Sequence, residues 1–103
     1  MNNRIAKRVA KGAALLDIKR PGWEKEVNIY SINMNSPYAC ILGQIYHNYA
    51  WGLDSLELES NWSAKRYGFE LTGWQRRNFV SAQLNGQKIK DAWIDEINSR
   101  KSK

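Results

Sequence analysis

A mainly α-helical fold is what this chain predicts: a small single-domain helical bundle with room for one short strand or hairpin. Three apolar stripes carry that expectation. Near the start, Ile5, Val9, Ala13 and Leu16 recur at steps of four, four and three. In the middle, Tyr38, Leu42, Ile45, Tyr49, Leu53 and Leu56 recur at steps of four and three, and near the end Ile89, Trp93 and Ile97 recur at steps of four. At about 100° per residue each set falls on one side of a helix.

Length and composition bound the rest. One domain spanning 1–103 is the natural organisation for 103 residues, and five tryptophans with five tyrosines give it an aromatic core. Leu16, Trp23, Leu42, Ile45, Tyr49, Leu53 and Trp93 are the expected core residues. The single cysteine excludes an internal disulfide. With no apolar run of signal-peptide length and none near the roughly 20 residues of a membrane span, a cytosolic protein with no membrane contact is expected.

The first stripe predicts an amphipathic helix over Asn3–Lys19. Its opposite side carries Arg4, Lys7, Arg8 and Lys11, a basic stripe able to neutralise phosphates or an acidic protein face, or simply to sit in water. Pro21 ends the helix, because the residue before proline is pushed out of the α region. Pro21-Gly22 makes a turn, Trp23 folds back on the first helix, and Trp23–Val27 forms one short helical turn. In Asn28–Asn35, Tyr30, Ile32 and Met34 alternate with polar residues, the pattern of a strand with one buried face. An extended loop would carry the same pattern.

Ser36-Pro37 reads as a helix start, with the serine oxygen capping and proline at the first helical position. A continuous helix to Leu58 would be roughly 33 Å long at 1.5 Å per residue, so a break at His47-Asn48 is expected, Asn48 capping a second helix. Gly43 and Gly52 each cost about 1 kcal/mol of helix propensity and mark close approach of another segment. In Ser60–Phe69, Ser60 is a candidate N-cap and Gly68 a left-handed C-terminal residue, with Phe69 folding back on Ala64 in a Schellman motif. Lys65 and Arg66 suit the dipole of that helix end.

Glu70–Gln83 is the least legible region, with a turn suggested at Thr72-Gly73. Trp74, Arg76 and Arg77, followed by Phe79, interleave aromatic and basic groups, a composition that stacks on bases or packs on the core. Asn85-Gly86 signals a turn, and the last helix runs from Gln87. Arg100, Lys101 and Lys103 form a basic tail, frayed from about residue 99.

Chemistry is sparse. One histidine and one cysteine cannot close a zinc site, and no cofactor motif stands out. Cys40 and His47 share a helix side but lie about 10 Å apart along its axis, beyond hydrogen-bond reach. A non-enzymatic chain is therefore expected. The net charge of +6 is segregated, +5 over residues 1–20, −4 over 21–60 and +5 over 61–103, which favours an acidic partner. The candidate partner-binding residues are Arg4, Lys7, Arg8, Lys11, Trp74, Arg76 and Arg77.

In order along the chain, GAALLDIKRPGW (12–23), CILGQIY (40–46), GLDSLEL (52–58) and AKRYGF (64–69), with Ala92-Trp93, resemble a group of small uncharacterised proteins from bacteriophages and prophages of Gram-positive bacteria. This chain departs in carrying His47 where glycine is expected and extra residues across 70–88. The resemblance implies a phage accessory protein in the bacterial cytoplasm that binds a host protein or protein–nucleic acid complex. Host takeover and suppression of antiviral defence, CRISPR inhibition among them, are the roles it suggests. Direct, largely sequence-independent nucleic-acid binding is the alternative.

Overall fold

The structure, a computed structural model, describes residues 4–58, 61–70 and 79–101. Among these residues there are five α-helices: α1 (Arg4–Lys19), α2 (Ile41–Tyr46), α3 (Tyr49–Ser55), α4 (Asn61–Arg66) and α5 (Phe79–Lys101). Two 3-10 turns, Trp23–Glu26 and Ile29–Ser31, lie between α1 and α2, and no strand occurs among the described residues. It is a small mainly-α bundle, as the apolar periodicity predicts.

The two long helices, α1 and α5, form the frame and pack against each other. Val9, Ala13 and Leu16 of α1 are fully buried, and α5 meets them with Ile89, Trp93 and Ile97. Trp93 is the hub. Its ring stacks on Phe69 at 5.3 Å and meets Trp23 edge-on at 5.8 Å, both favourable aromatic geometries. Burial would leave the Trp93 indole N–H unsatisfied, and it donates instead to the Gly68 carbonyl at 2.7 Å.

Gly12 and Gly68 make that arrangement possible. A Cβ on Gly12 would sit 2.0 Å from the Tyr67 carbonyl oxygen, and one on Gly68 would sit 2.7 Å from the Val9 backbone. The turn after α4 therefore crosses α1 backbone on backbone. Gly68 has φ +73, and the turn closes with Phe69 N–H on Ala64 O (3.0 Å) and Gly68 N–H on Lys65 O (3.2 Å). This is the Schellman pairing predicted from AKRYGF. The expected cap Ser60 lies outside the described residues.

Trp23 folds back as expected, its indole N–H donating to Asp17 Oδ1 at 2.9 Å. The break at His47-Asn48 is present. His47 takes φ 72, and Asn48 Oδ1 accepts from the N–H groups of Ala50 and Trp51. Gly43 and Gly52 do mark close approaches: an added Cβ would lie 2.5 Å from Pro37 O and 2.7 Å from Leu42 Cβ respectively.

Several expectations are corrected. Asn28–Asn35 forms no strand. Asn28 caps the second 3-10 turn by accepting from Tyr30 N–H, and the Gln44 side chain bonds both N–H and C=O of Asn28. One amide side chain thus replaces a strand ladder. Ser36 does accept from Tyr38 and Ala39 N–H, but it caps only a turn, and α2 begins at Ile41 with Cys40 as its N-cap. Tyr38 leaves the core stripe as a result and is 66% exposed. Tyr49 and Leu53, expected in the core, are half-buried at its edge.

Asn85-Gly86 makes no turn, because α5 runs through it from Phe79. Helix α5 continues through Lys101, into the stretch expected to fray. Arg100 pairs with both Asp17 oxygens (2.9 and 2.7 Å) and with Glu96 (2.7 Å), and its guanidinium lies 5.4 Å from the centre of the Trp23 ring. This clamp fastens the end of α5 to the end of α1.

Candidate functional site

Helical geometry fixes the candidate surface. Positions 4, 7, 8 and 11 fall within one arc of α1, opposite Val9, Ala13 and Leu16. Once those three are buried against α5 and α4, the cations must face outward. Arg4, Lys7 and Lys11 are exposed, and Arg8 is half-buried. Arg8 occupies the edge of the arc nearest Gly12, where the Tyr67-Gly68 turn crosses, and its Nη1 is buried with no hydrogen-bond partner.

The crossing brings further residues to this surface. Lys11 Nζ lies 5.7 Å from the centre of the Tyr67 ring, a cation–π contact. Lys65 and Arg66 form the last turn of α4 immediately before Tyr67, so they extend the cationic surface from a second helix. In the sequence those two suit only the α4 dipole. More than fifty positions separate them from Lys11, and no local pattern reports a crossing of that kind. Trp74, Arg76 and Arg77, the other predicted site residues, lie outside the described residues.

The chain divides its cations between two uses. Lys19 pairs with Glu57 at 3.7 Å, and Arg20 holds Glu26 through two bonds of 2.9 and 2.8 Å while lying 5.1 Å from the centre of the Tyr46 ring. The hydrogen bond to Glu26 raises the Arg20 pKa and lowers that of Glu26. Arg100 is likewise held charged, first by its bonds to Asp17. Among the described residues, Lys7, Arg8 and Lys11 form no ion pair. The cations at the C-terminal end of α1 are held by acids of the described residues, and Lys7, Arg8 and Lys11 are not.

Cys40 and His47 cap opposite ends of α2, seven residues and therefore about 10 Å of rise apart. Cys40 Sγ accepts from Gly43 N–H at 3.3 Å, and burial pushes its thiol pKa up, which opposes thiolate formation. A cavity of about 210 Å3 lies beside it, lined by Met34, Pro37, Tyr49, Phe69 and Glu70 among others, and Tyr49 Oη donates to Glu70 Oε2 across it. His47 is exposed. No nucleophile–base pair is formed by these two residues.

Among the described residues no three His, Cys, Asp or Glu side chains converge as a metal site, and no helix is long and apolar enough to cross a membrane. Comparison with protein-family models, curated proteins and solved structures returned no match.

Proposed function

We propose that the chain is a non-catalytic phage-type accessory protein that binds an acidic face of a host protein or protein–nucleic acid complex. The cationic surface of α1 and the end of α4 makes the contact. Host takeover or antagonism of antiviral defence, CRISPR inhibition included, is the role that fits the resemblance noted in the sequence. The observation carrying this reading is the division of cations. Lys19, Arg20 and Arg100 are bound to acids within the chain, whereas Lys7, Arg8 and Lys11 are not. An open cluster of like charge favours association with the opposite sign and speeds encounter.

A protein face is preferred over bare nucleic acid for a specific reason. Tyr67, the aromatic ring bordering the stripe, already carries Lys11 over its ring. It is poorly placed to serve as a stacking platform for unpaired bases.

The test uses the double variant Lys7→Glu/Lys11→Glu, both sites exposed, so its melting temperature is expected to match the parent. Wild-type protein immobilised at about 0.15 M salt should retain a discrete component of a bacterial host extract that the variant loses. Random-sequence DNA and RNA should bind weakly across a salt series. Affinity for them that falls steeply with salt and disappears in the variant would transfer the reading to direct nucleic-acid binding. Retention of the same host component by both proteins would remove this surface from the function.

A further inference from the structure

Gly86 is a position that folding alone leaves unexplained. It lies on the buried stripe of α5, three residues before Ile89, where the pattern Ile89-Trp93-Ile97 calls for another apolar side chain. Gly86 lies inside the helix, and a Cβ added there would meet no atom of the described residues within 4 Å beyond its own stretch of helix. Glycine inside a helix costs about 1 kcal/mol relative to alanine. Neither a turn nor a close backbone approach offsets that cost. What the missing side chain provides is space.

The space is a groove of about 580 Å3 between α5 and the loop Ile32–Asn35, within the size range of ligand clefts. Ile32 and Met34 form an apolar floor. Asn33, Asn35, Gln87 and Lys90 form the rim. Lys90 stands one helical turn beyond Gly86, half-buried, and makes no ion pair among the described residues. Asn33 Oδ1 accepts from Asn35 N–H, and Gln87 Nε2 donates to Asp91 at 2.8 Å. The Asn33 NH2 group, the Asn35 amide and Gln87 Oε1 remain directed to no other described side chain.

We infer that this groove docks an extended segment of a protein partner carrying an acidic side chain. Amides on its two walls offer donors and acceptors to the alternating N–H and C=O groups of an extended backbone. Lys90 supplies the single complementary charge. Among the described residues no aromatic ring lines the groove, whereas its amides match a peptide backbone, and a peptide is favoured over nucleic acid. The site is separate from the α1 surface and does not depend on the function proposed for it.

The probe is a pool of blocked, fluorescently labelled hexapeptides with Asp or Glu fixed at one central position, compared with a pool carrying Asn or Gln there. The acidic pool should bind the wild-type chain saturably and the amide pool about tenfold more weakly, as expected for one charge-assisted contact. Lys90→Gln should abolish that difference. Gly86→Leu fills the groove while meeting no neighbour at its first atom, so it should melt no lower than the parent yet lose binding. If Gly86→Leu melts lower, Asn35→Ala, an exposed change, replaces it as the second probe of the rim. Amide 15N shifts induced by the acidic pool should centre on Asn33, Asn35, Gly86 and Lys90, and Lys7→Glu/Lys11→Glu should leave them intact. Equal binding of the two pools, absence of saturable binding, shifts centred on Arg4–Lys11, or displacement of the peptide by random-sequence oligonucleotides would each overturn the inference.

Discussion

Gly12→Ala sets two effects against each other with opposite sign. Gly12 is a helix-interior residue of α1, so propensity alone predicts that alanine stabilises by about 1 kcal/mol. The contact geometry predicts the reverse. The new Cβ would lie 2.0 Å from the Tyr67 carbonyl oxygen and 3.0 Å from the Trp93 ring, where real Cβ atoms are essentially never closer than 3.0 Å. Since the first neighbour is backbone, α1 and the turn after α4 must separate by about 1 Å. That turn carries the Gly68 carbonyl, the acceptor for the buried Trp93 indole. Overpacking of this kind costs about 1–3 kcal/mol, and loss of a buried hydrogen bond adds about 1–3 kcal/mol. After the propensity gain, a net destabilisation of about 1–5 kcal/mol is expected. Urea denaturation followed by tryptophan fluorescence measures it. For a domain of this size each 1 kcal/mol lowers the melting temperature by about 4–8 °C. A Gly12→Ala chain as stable as the parent, or more so, would refute the backbone crossing.

Three further outcomes are expected. Asp17→Ala removes the acceptor for Trp23 Nε1 and for two Arg100 bonds. The ion pair is partly solvated, so the cost should be about 1–2 kcal/mol, and a double-mutant cycle with Arg100→Ala should be strongly non-additive. Glu26 has its pKa lowered by Arg20, so its pairing stabilises above the ordinary glutamate pKa and is lost as pH falls through the lowered one. Arg20→Gln should therefore flatten the stability profile on the acid side, measured by urea midpoints in steps of pH, and an unchanged slope would count against the pair. Cys40, buried with a raised pKa, should resist iodoacetamide in the native state and react in concentrated urea, as mass spectrometry would register. Rapid native labelling would place the thiol outside the core.

Features that depend on a few neighbouring residues were legible in the sequence. The Pro21-Gly22-Trp23 corner, the Asn48 cap and the Gly68 closure each follow from local backbone chemistry, and the stripe Ile89-Trp93-Ile97 follows from helical period. The misses share a different cause. The strand read into Asn28–Asn35 was undone by Gln44, a side chain sixteen residues away that satisfies the Asn28 backbone. The asparagines there also bond their own backbone, which competes with regular structure. The turn read at Asn85-Gly86 was overridden by packing of the α5 stripe against α1. The partner of Arg100, Asp17, is 83 residues earlier, so no local pattern reports that pairing. On the candidate surface, the α1 stripe was visible, and the contribution of Lys65, Arg66 and Tyr67 was not.

The same long-range contacts explain why stability and recognition can be separated on one helix. The C-terminal end of α1 is fixed by Asp17, Lys19 and, one residue beyond the helix, Arg20, each reaching a different element: α5, the turn after α3 and the 3-10 turn at Trp23–Glu26. Its N-terminal half is fixed through its apolar side by Val9, Gly12 and Ala13, with Lys11 lying over the Tyr67 ring. Lys7 and Lys11 are exposed, and their mutual repulsion adds a small cost that an acidic partner would relieve. A helix held by ion pairs at one end and by buried apolar groups at the other can change its exposed charges without losing its place.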